Sequence, residues 1–219
     1  MIRTARAMPT TETALIGRAE PIATDTYHFV SGKAIKGPYP VGYEVACFAM
    51  GCFWGVERLF WRAPDVWVTA VGYAGGFTPN PTYGEVCTGM TGHAEAVRVV
   101  FRSGGFCNLL KLFWENHNPT QGMRQGQDIG TQYRSIIFYY SGAQHEAAQR
   151  SLELYRAALA DIISAPLTTE LKAATEFYFA EADHQGYLAK NPAGYCGLVG
   201  TGVSCDIARE LGPQPSSVI

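Results

Sequence analysis

The chain has 219 residues, 47% hydrophobic and 16% charged, with a formal net charge of −2. That balance builds a buried core and excludes wholesale disorder, and a near-neutral chain has no electrostatic grip on nucleic acid or an anionic membrane surface. No apolar run approaches the roughly 20 residues of a membrane span.

In chain order, residues 1–41 are polar and broken by Pro9, Pro21, Pro38 and Pro40, which reads as an extended arm without a core of its own. The continuous apolar run 44–50 suits a buried strand. Gly51 ends it, and from 52 onward Phe53, Val56, Leu59, Phe60 and Ala63 fall at helical spacing until Pro64. Residues 66–74 are β-rich, a long Gly/Pro-dense loop follows, and 93–101 alternates, with Glu95, Val97, Val99 and Phe101 on one face. A short helix is expected from Asn108 as N-cap, then a second long loop over 116–134 and a strand over 136–140. Ser141, with Gln144 three residues on, opens a helix to about 160. A weak strand near 167–172 and a helix near 181–190 precede a glycine-rich tail. The core order β-α-β-β-α-β predicts an α+β, two-layer ferredoxin-like sandwich. One domain is expected over 1–219: arm 1–41, core 42–190, flexible tail 191–219.

The first 20 residues carry three arginines but no apolar block, so no export signal is read and a cytoplasmic chain is expected. Glu12 and Glu20 weaken an amphipathic transit sequence. The six cysteines, at 47, 52, 87, 107, 196 and 205, are too sparse for a disulfide scaffold, and a reducing compartment keeps them as thiols unless they pair for chemistry. No two are spaced as a zinc pair.

Cys52 lies at a strand-to-helix junction, where first-turn amides favour a thiolate and can lower the thiol pKa. A small buried hydrophobe is the equal alternative from position alone. Phe53 and Trp54 offer an apolar wall. Glu95, among Val97, Val99 and Phe101, should be desolvated and its pKa raised, as a proton donor requires; an exposed, paired glutamate is the alternative. Cys47, Cys87 and Cys107 read as structural, and His93 as a hydrogen-bonded structural residue. Tyr83 and Tyr133 can donate phenolic hydrogen bonds.

Several motifs then occur in one order: Gly-Cys-Phe-Trp-Gly (51–55), Gly-Tyr-Ala-Gly-Gly (72–76), Pro-Thr-Tyr-Gly-Glu-Val-Cys (81–87), Thr-Gly-His-Ala-Glu (91–95), Asp-Ile-Gly-Thr-Gln-Tyr-Arg-Ser (128–135) and Gly-Tyr-Cys-Gly (194–197). Over about 44–205 the chain resembles the A-type peptide methionine sulfoxide reductases, MsrA. The resemblance implies reduction of the S epimer of methionine sulfoxide, protein-bound and free. It implies Cys52 as nucleophile and Glu95 as acid, with Tyr83, Tyr133 and Asp128 in the site. Phe53 and Trp54 would hold the S-methyl group, with His184 and Tyr195 lining the pocket. Cys196 would resolve a sulfenic acid, and Cys205 would pass the disulfide to thioredoxin. No metal or cofactor is implied, and a monomer acting on oxidised proteins is expected. A thiol peroxidase and a ferredoxin-like binding module with incidental cysteines are the competing readings.

Overall fold

The structure is a computed structural model and describes residues 7–212, so the first six residues of the expected arm and the last seven of the tail lie outside it. Strand β1 (Tyr43–Met50) leads into helix α1 (Phe53–Trp61), β2 (Val66–Ala74), a short α2 (Tyr83–Cys87), β3 (Ala94–Arg102) and α3 (Phe106–Asn116). A two-residue hairpin, β4 (Arg124–Gln125) and β5 (Asp128–Ile129), precedes β6 (Ser135–Tyr139). Then come α4 (Gly142–Leu159), β7 (Glu170–Ala173), β8 (Phe177–Phe179), α5 (Tyr187–Lys190) and α6 (Ile207–Leu211).

Six strands form one sheet in the order β7-β6-β1-β3-β2-β8. Neighbours are antiparallel except β6 and β7, which are parallel. The sheet is apolar on both faces. One face carries Phe48, Val97, Val99, Phe101 and Ile137, which pack with Val56 and Phe60 of α1, Phe106, Leu110, Phe113 and Trp114 of α3, and Tyr155 of α4. The other face carries Cys47, Ala49, Ala74, Ala94, Ala96 and Ile136, with Phe177 packed on it. Near its edge the arm's Ile35 and Tyr39 pack on Val68, Ala70 and Val100. The arm is therefore no free extension: it closes a sheet face that would otherwise expose apolar surface.

Several local expectations are corrected. Helix α3 starts at Phe106 with Gly105 as N-cap, so Asn108 lies inside its first turn. The long loop after β2 contains α2, for which Thr82 and Glu85 form a complete capping box. The expected helix over 181–190 is broken into a 3-10 turn at Ala182–His184 and the short α5, with Gly186 between them at φ +63°. There the buried Gln185 side chain turns aside to bond both the N–H and the C=O of Val71 on β2. The tail, expected to be loose, packs in the core: Val203, Ile207 and Leu211 recur every four residues and are all buried. Among the described residues no helix is long and apolar enough to cross a membrane.

Candidate active site

Cys52 stands where β1 ends and α1 begins. Gly51 makes that junction at φ +92°, a conformation costly for any residue with a Cβ, and a Cβ there would lie 2.6 Å from the Gln125 side chain on β4. Helix α1 opens with no capping side chain and no acid in its first turn, so its unpaired amides serve the site. The Phe53 N–H donates to Oε2 of Glu95 at 3.0 Å. The amides of Trp54 and Gly55 favour charge on the Cys52 sulfur.

Those amides do not win. Burial first, and the neighbouring Glu95 next, hold the Cys52 thiol above its ordinary range. The thiolate expected from the helix start is therefore corrected: desolvation of a mostly buried sulfur outweighs two amide dipoles, and the resting thiol keeps its proton.

Glu95 sits on β3 where the alternation puts it, beside Val97, Val99 and Phe101 on one buried face, and is only 1% exposed. Burial raises its pKa from 4.5 to about 8, against the Phe53 amide, which lowers it. At neutral pH the carboxyl is protonated. Its Oε1 is buried with no hydrogen-bond partner among the described residues, a costly state for a polar atom.

Around this carboxyl stand two phenols. Burial, then the charge of Glu95, holds Tyr83 and Tyr133 above the usual tyrosine range, so both remain hydrogen-bond donors. Both also sense Cys87. Expected to be purely structural, that thiol sits at the edge of the site, its pKa raised to about 11 chiefly by burial. The aromatic wall is continuous: Tyr83 lies 6.3 Å from Phe53 and 4.3 Å from His184, ring centre to ring centre. Trp54 stacks on Tyr187 at 3.9 Å. The Trp54 indole N–H donates to His184 Nδ1 at 3.1 Å, which puts the imidazole proton on Nε2. Burial lowers the His184 pKa, which keeps the ring neutral. His93 has the structural role expected of it: Nδ1 accepts from Gly76 N–H and Nε2 donates to the Thr78 carbonyl.

The tail closes the site from outside. Tyr195 donates to Asp128 Oδ2 at 3.2 Å, and burial raises the Asp128 pKa. A Cβ on Gly55 would sit 2.7 Å from Cys196 Sγ, so that sulfur rests against the first turn of α1. Cys205 is held elsewhere. Its N–H and the Ser204 hydroxyl donate to Glu115 on α3. The structure thus brings Cys52, Glu95, Tyr83, Tyr133, Asp128, Phe53, Trp54, His184, Tyr195 and Cys196 together, and leaves Cys205, in the segment before α6, held against α3. Among the described residues no group of His, Cys, Asp and Glu is arranged to hold a metal ion.

Sequence reasoning missed Tyr187, Glu181 and Glu57. Tyr187 is the ring stacked on Trp54. Glu181 accepts the Tyr83 N–H at 2.7 Å and the Tyr73 hydroxyl at 2.9 Å. Glu57 is fully buried in α1 and accepts the Gly186 N–H at 2.9 Å. Only the Thr82–Glu85 capping box was available to reveal α2, and nothing in the local pattern marks a contact 98 or 129 residues away.

A thiol beside a proton-holding carboxyl is suited to taking oxygen from its target, because oxygen leaves only once protonated. That chemistry places the chain among the thiol oxidoreductases. Residues 44–210 match the family model described as peptide methionine sulfoxide reductase. Relatives named peptide methionine sulfoxide reductase MsrA include one from Brucella anthropi, 60% identical over 91% of this chain and 93% of its own length. Another, from Caulobacter vibrioides, is 61% identical over the same shares. Methionine sulfoxide reductase A of Corynebacterium diphtheriae superposes with a TM-score of 0.78 at 41% identity, over 87% of this chain and 93% of that one. Reduced Mxr1 from Saccharomyces cerevisiae gives 0.67 at 32%, over 73% and 91%. The chain belongs to the peptide methionine sulfoxide reductase family, in its MsrA branch.

Proposed function

We propose that this chain reduces the S epimer of methionine sulfoxide, free and within oxidised proteins, to methionine. The observation that carries the reading is the Glu95 carboxyl, buried, protonated up to about pH 8 and bonded to the amide next to Cys52. The sulfoxide oxygen takes its place at the bare Oε1 of Glu95, with Tyr83 and Tyr133 as further donors. The S-methyl group lies on the ring wall of Phe53 and Trp54, closed by His184. Asp128 and Tyr195 close the rim. With oxygen and methyl so placed and Cys52 approaching from a third direction, the pocket has a hand and accepts one epimer.

Cys52 bonds to the sulfoxide sulfur while the oxygen takes up the thiol proton and the Glu95 proton, and the S–O bond breaks with oxygen leaving as water. That water adds to the Cys52 sulfur, the bond from Cys52 to the methionine sulfur breaks to release methionine, and the surplus water proton returns to Glu95. The net step converts thiol and sulfoxide to sulfenic acid and thioether, with Cys52 oxidised by two electrons and methionine sulfur reduced by two. A polarised S–O dipole in the pocket favours the thiolate that burial otherwise opposes. Cys196 then attacks the sulfenic acid, expelling water and forming a Cys52–Cys196 disulfide. Cys205 exchanges into it, and thioredoxin reduces the Cys196–Cys205 bond. We read the chain as a cytoplasmic monomer without a resident cofactor. The order β6-β1-β3-β2 supports a ferredoxin-like core within one domain.

Turnover of the two sulfoxide epimers with thioredoxin, beside turnover of hydrogen peroxide, tests the reading. Cys52→Ser is expected to abolish sulfoxide reduction. Cys196→Ser is expected to release about one methionine per enzyme and then stop. Parent-like rates for Cys52→Ser, or a preference for peroxide, would sink the assignment.

A further inference from the structure

Tyr83 is the first residue of a five-residue helix, and a helix that short has little stability of its own. Its orientation depends on what fastens it. On one side the Thr82–Glu85 capping box is gripped by Arg18 of the arm, whose guanidinium donates to both Glu85 oxygens at 2.9 and 2.7 Å. On the other side is Glu181. One of its oxygens accepts the Tyr83 N–H at 2.7 Å and the other accepts the Tyr73 hydroxyl at 2.9 Å. Tyr73 is fully buried on β2, directly across the ladder from Glu95. The Glu181 carboxylate therefore spans two walls of the pocket, one rigid and one not.

We propose that Glu181 is a positioning residue, which sets the Tyr83 hydroxyl against the sulfoxide oxygen by tying α2 to the buried tyrosine of β2. The inference rests on Tyr83 being a donor to that oxygen. It assigns Glu181 no contact with substrate. Its carboxylate acts on the backbone at Tyr83, and a displacement of about 1 Å in a donor of this kind costs up to ~100-fold in rate.

The test is a double-mutant cycle on the S epimer, with kcat and KM measured separately and folding checked by thermal denaturation. Glu181→Ala is expected to lower kcat roughly tenfold with little change in KM, and to cost almost nothing further in a Tyr83→Phe background. Glu181→Gln is expected to stay within about threefold of the parent, because its carbonyl still accepts the Tyr83 N–H and its amide can donate to the Tyr73 oxygen. Equal losses from Glu181→Ala with and without the Tyr83 hydroxyl would overturn the proposal, as would parent-like turnover of Glu181→Ala. Parent-like turnover of Tyr83→Phe would overturn the donor reading and this inference together. If Glu181→Ala does not fold, Tyr73→Phe takes its place. It removes one anchor, and a loss of about threefold that vanishes in the Tyr83→Phe background is expected; an equal loss in both backgrounds would overturn the proposal.

Discussion

Two glutamates are buried against helix α1, Glu57 within it and Glu95 on β3 beside its first turn, and their surroundings are opposite. Glu57, in the middle of α1, is saturated. Gly186 donates to its Oε2 at 2.9 Å and Thr69 to its Oε1 at 3.3 Å. His28 of the arm, its Nδ1 accepting from Ser31, stands behind them, with Nε2 3.1 Å from the Thr69 hydroxyl. Glu95, on β3 with its carboxyl at the start of that helix, has one amide on Oε2 and, among the described residues, no partner on Oε1. Folding satisfies buried polar atoms almost everywhere. Of the two carboxyls, the half-bare one is the one the proposed reaction uses.

Exchange of each carboxyl for its amide should break the pair apart. Glu95→Gln removes the acid and is expected to lower kcat/KM by roughly 10²–10⁴, and in the parent kcat/KM should fall as pH rises through about 8, where Glu95 loses its proton. A parent-like rate for Glu95→Gln, or a flat profile to pH 9, would remove the contrast.

The same group gives stability a pH dependence of known sign. Its folded pKa, about 8, lies above the ordinary 4.5. Below 4.5 both folded and unfolded chains hold the proton. Between the two values only the unfolded chain ionises, so folding is progressively disfavoured until pH passes 8. Glutamine has no such loss, so Glu95→Gln should gain on the parent between pH 5 and pH 9 by on the order of 4 kcal/mol, read from denaturant melts at both pH values.

Glu57→Gln should do the converse, putting an NH₂ where a donor already points. A loss of about 1–3 kcal/mol in stability is expected, with kcat/KM nearly unchanged once folded protein is compared. A large activity loss in a fully folded variant would mean that the two carboxyls differ less than their partners indicate.

The smallest expected effect concerns Cys196. Gly55→Ala places a methyl 2.7 Å from its sulfur. The first methionine should still be released at the parent rate in single turnover, while the following disulfide forms roughly tenfold more slowly. Unchanged disulfide formation would place the attacking sulfur elsewhere.

The parts of this molecule that were legible in its sequence are those governed by local rules. The alternation over 93–101 put Glu95 on an apolar face, and burial there gave the direction of its pKa. The switch of period at 51–53 located Cys52. Its thiolate was misjudged because helix-start amides are visible in a sequence whereas the depth of a sulfur is not. Gly186 splits a helix because a distant carboxylate takes its N–H, and His28 reaches that carboxylate's neighbour Thr69 across 41 residues. The arm's place on the sheet could not be read from its proline-broken, polar composition. The stripe Val203, Ile207, Leu211 was readable, but glycines around it suggested slackness.

Cys196 already rests on α1, whereas Cys205 is hitched to α3 through Glu115, and Gly200 lies so close to the Glu115 carbonyl that a Cβ would collide with it. On the proposed cycle, the sulfur that captures the oxidised Cys52 rests against the helix that Cys52 opens, and the sulfur that exports the oxidising equivalent is tied to a different helix. On that cycle the hold on Cys205 lies on α3 and not in the pocket of Glu95, so freeing Ser204 and Cys205 from Glu115 becomes a step of its own.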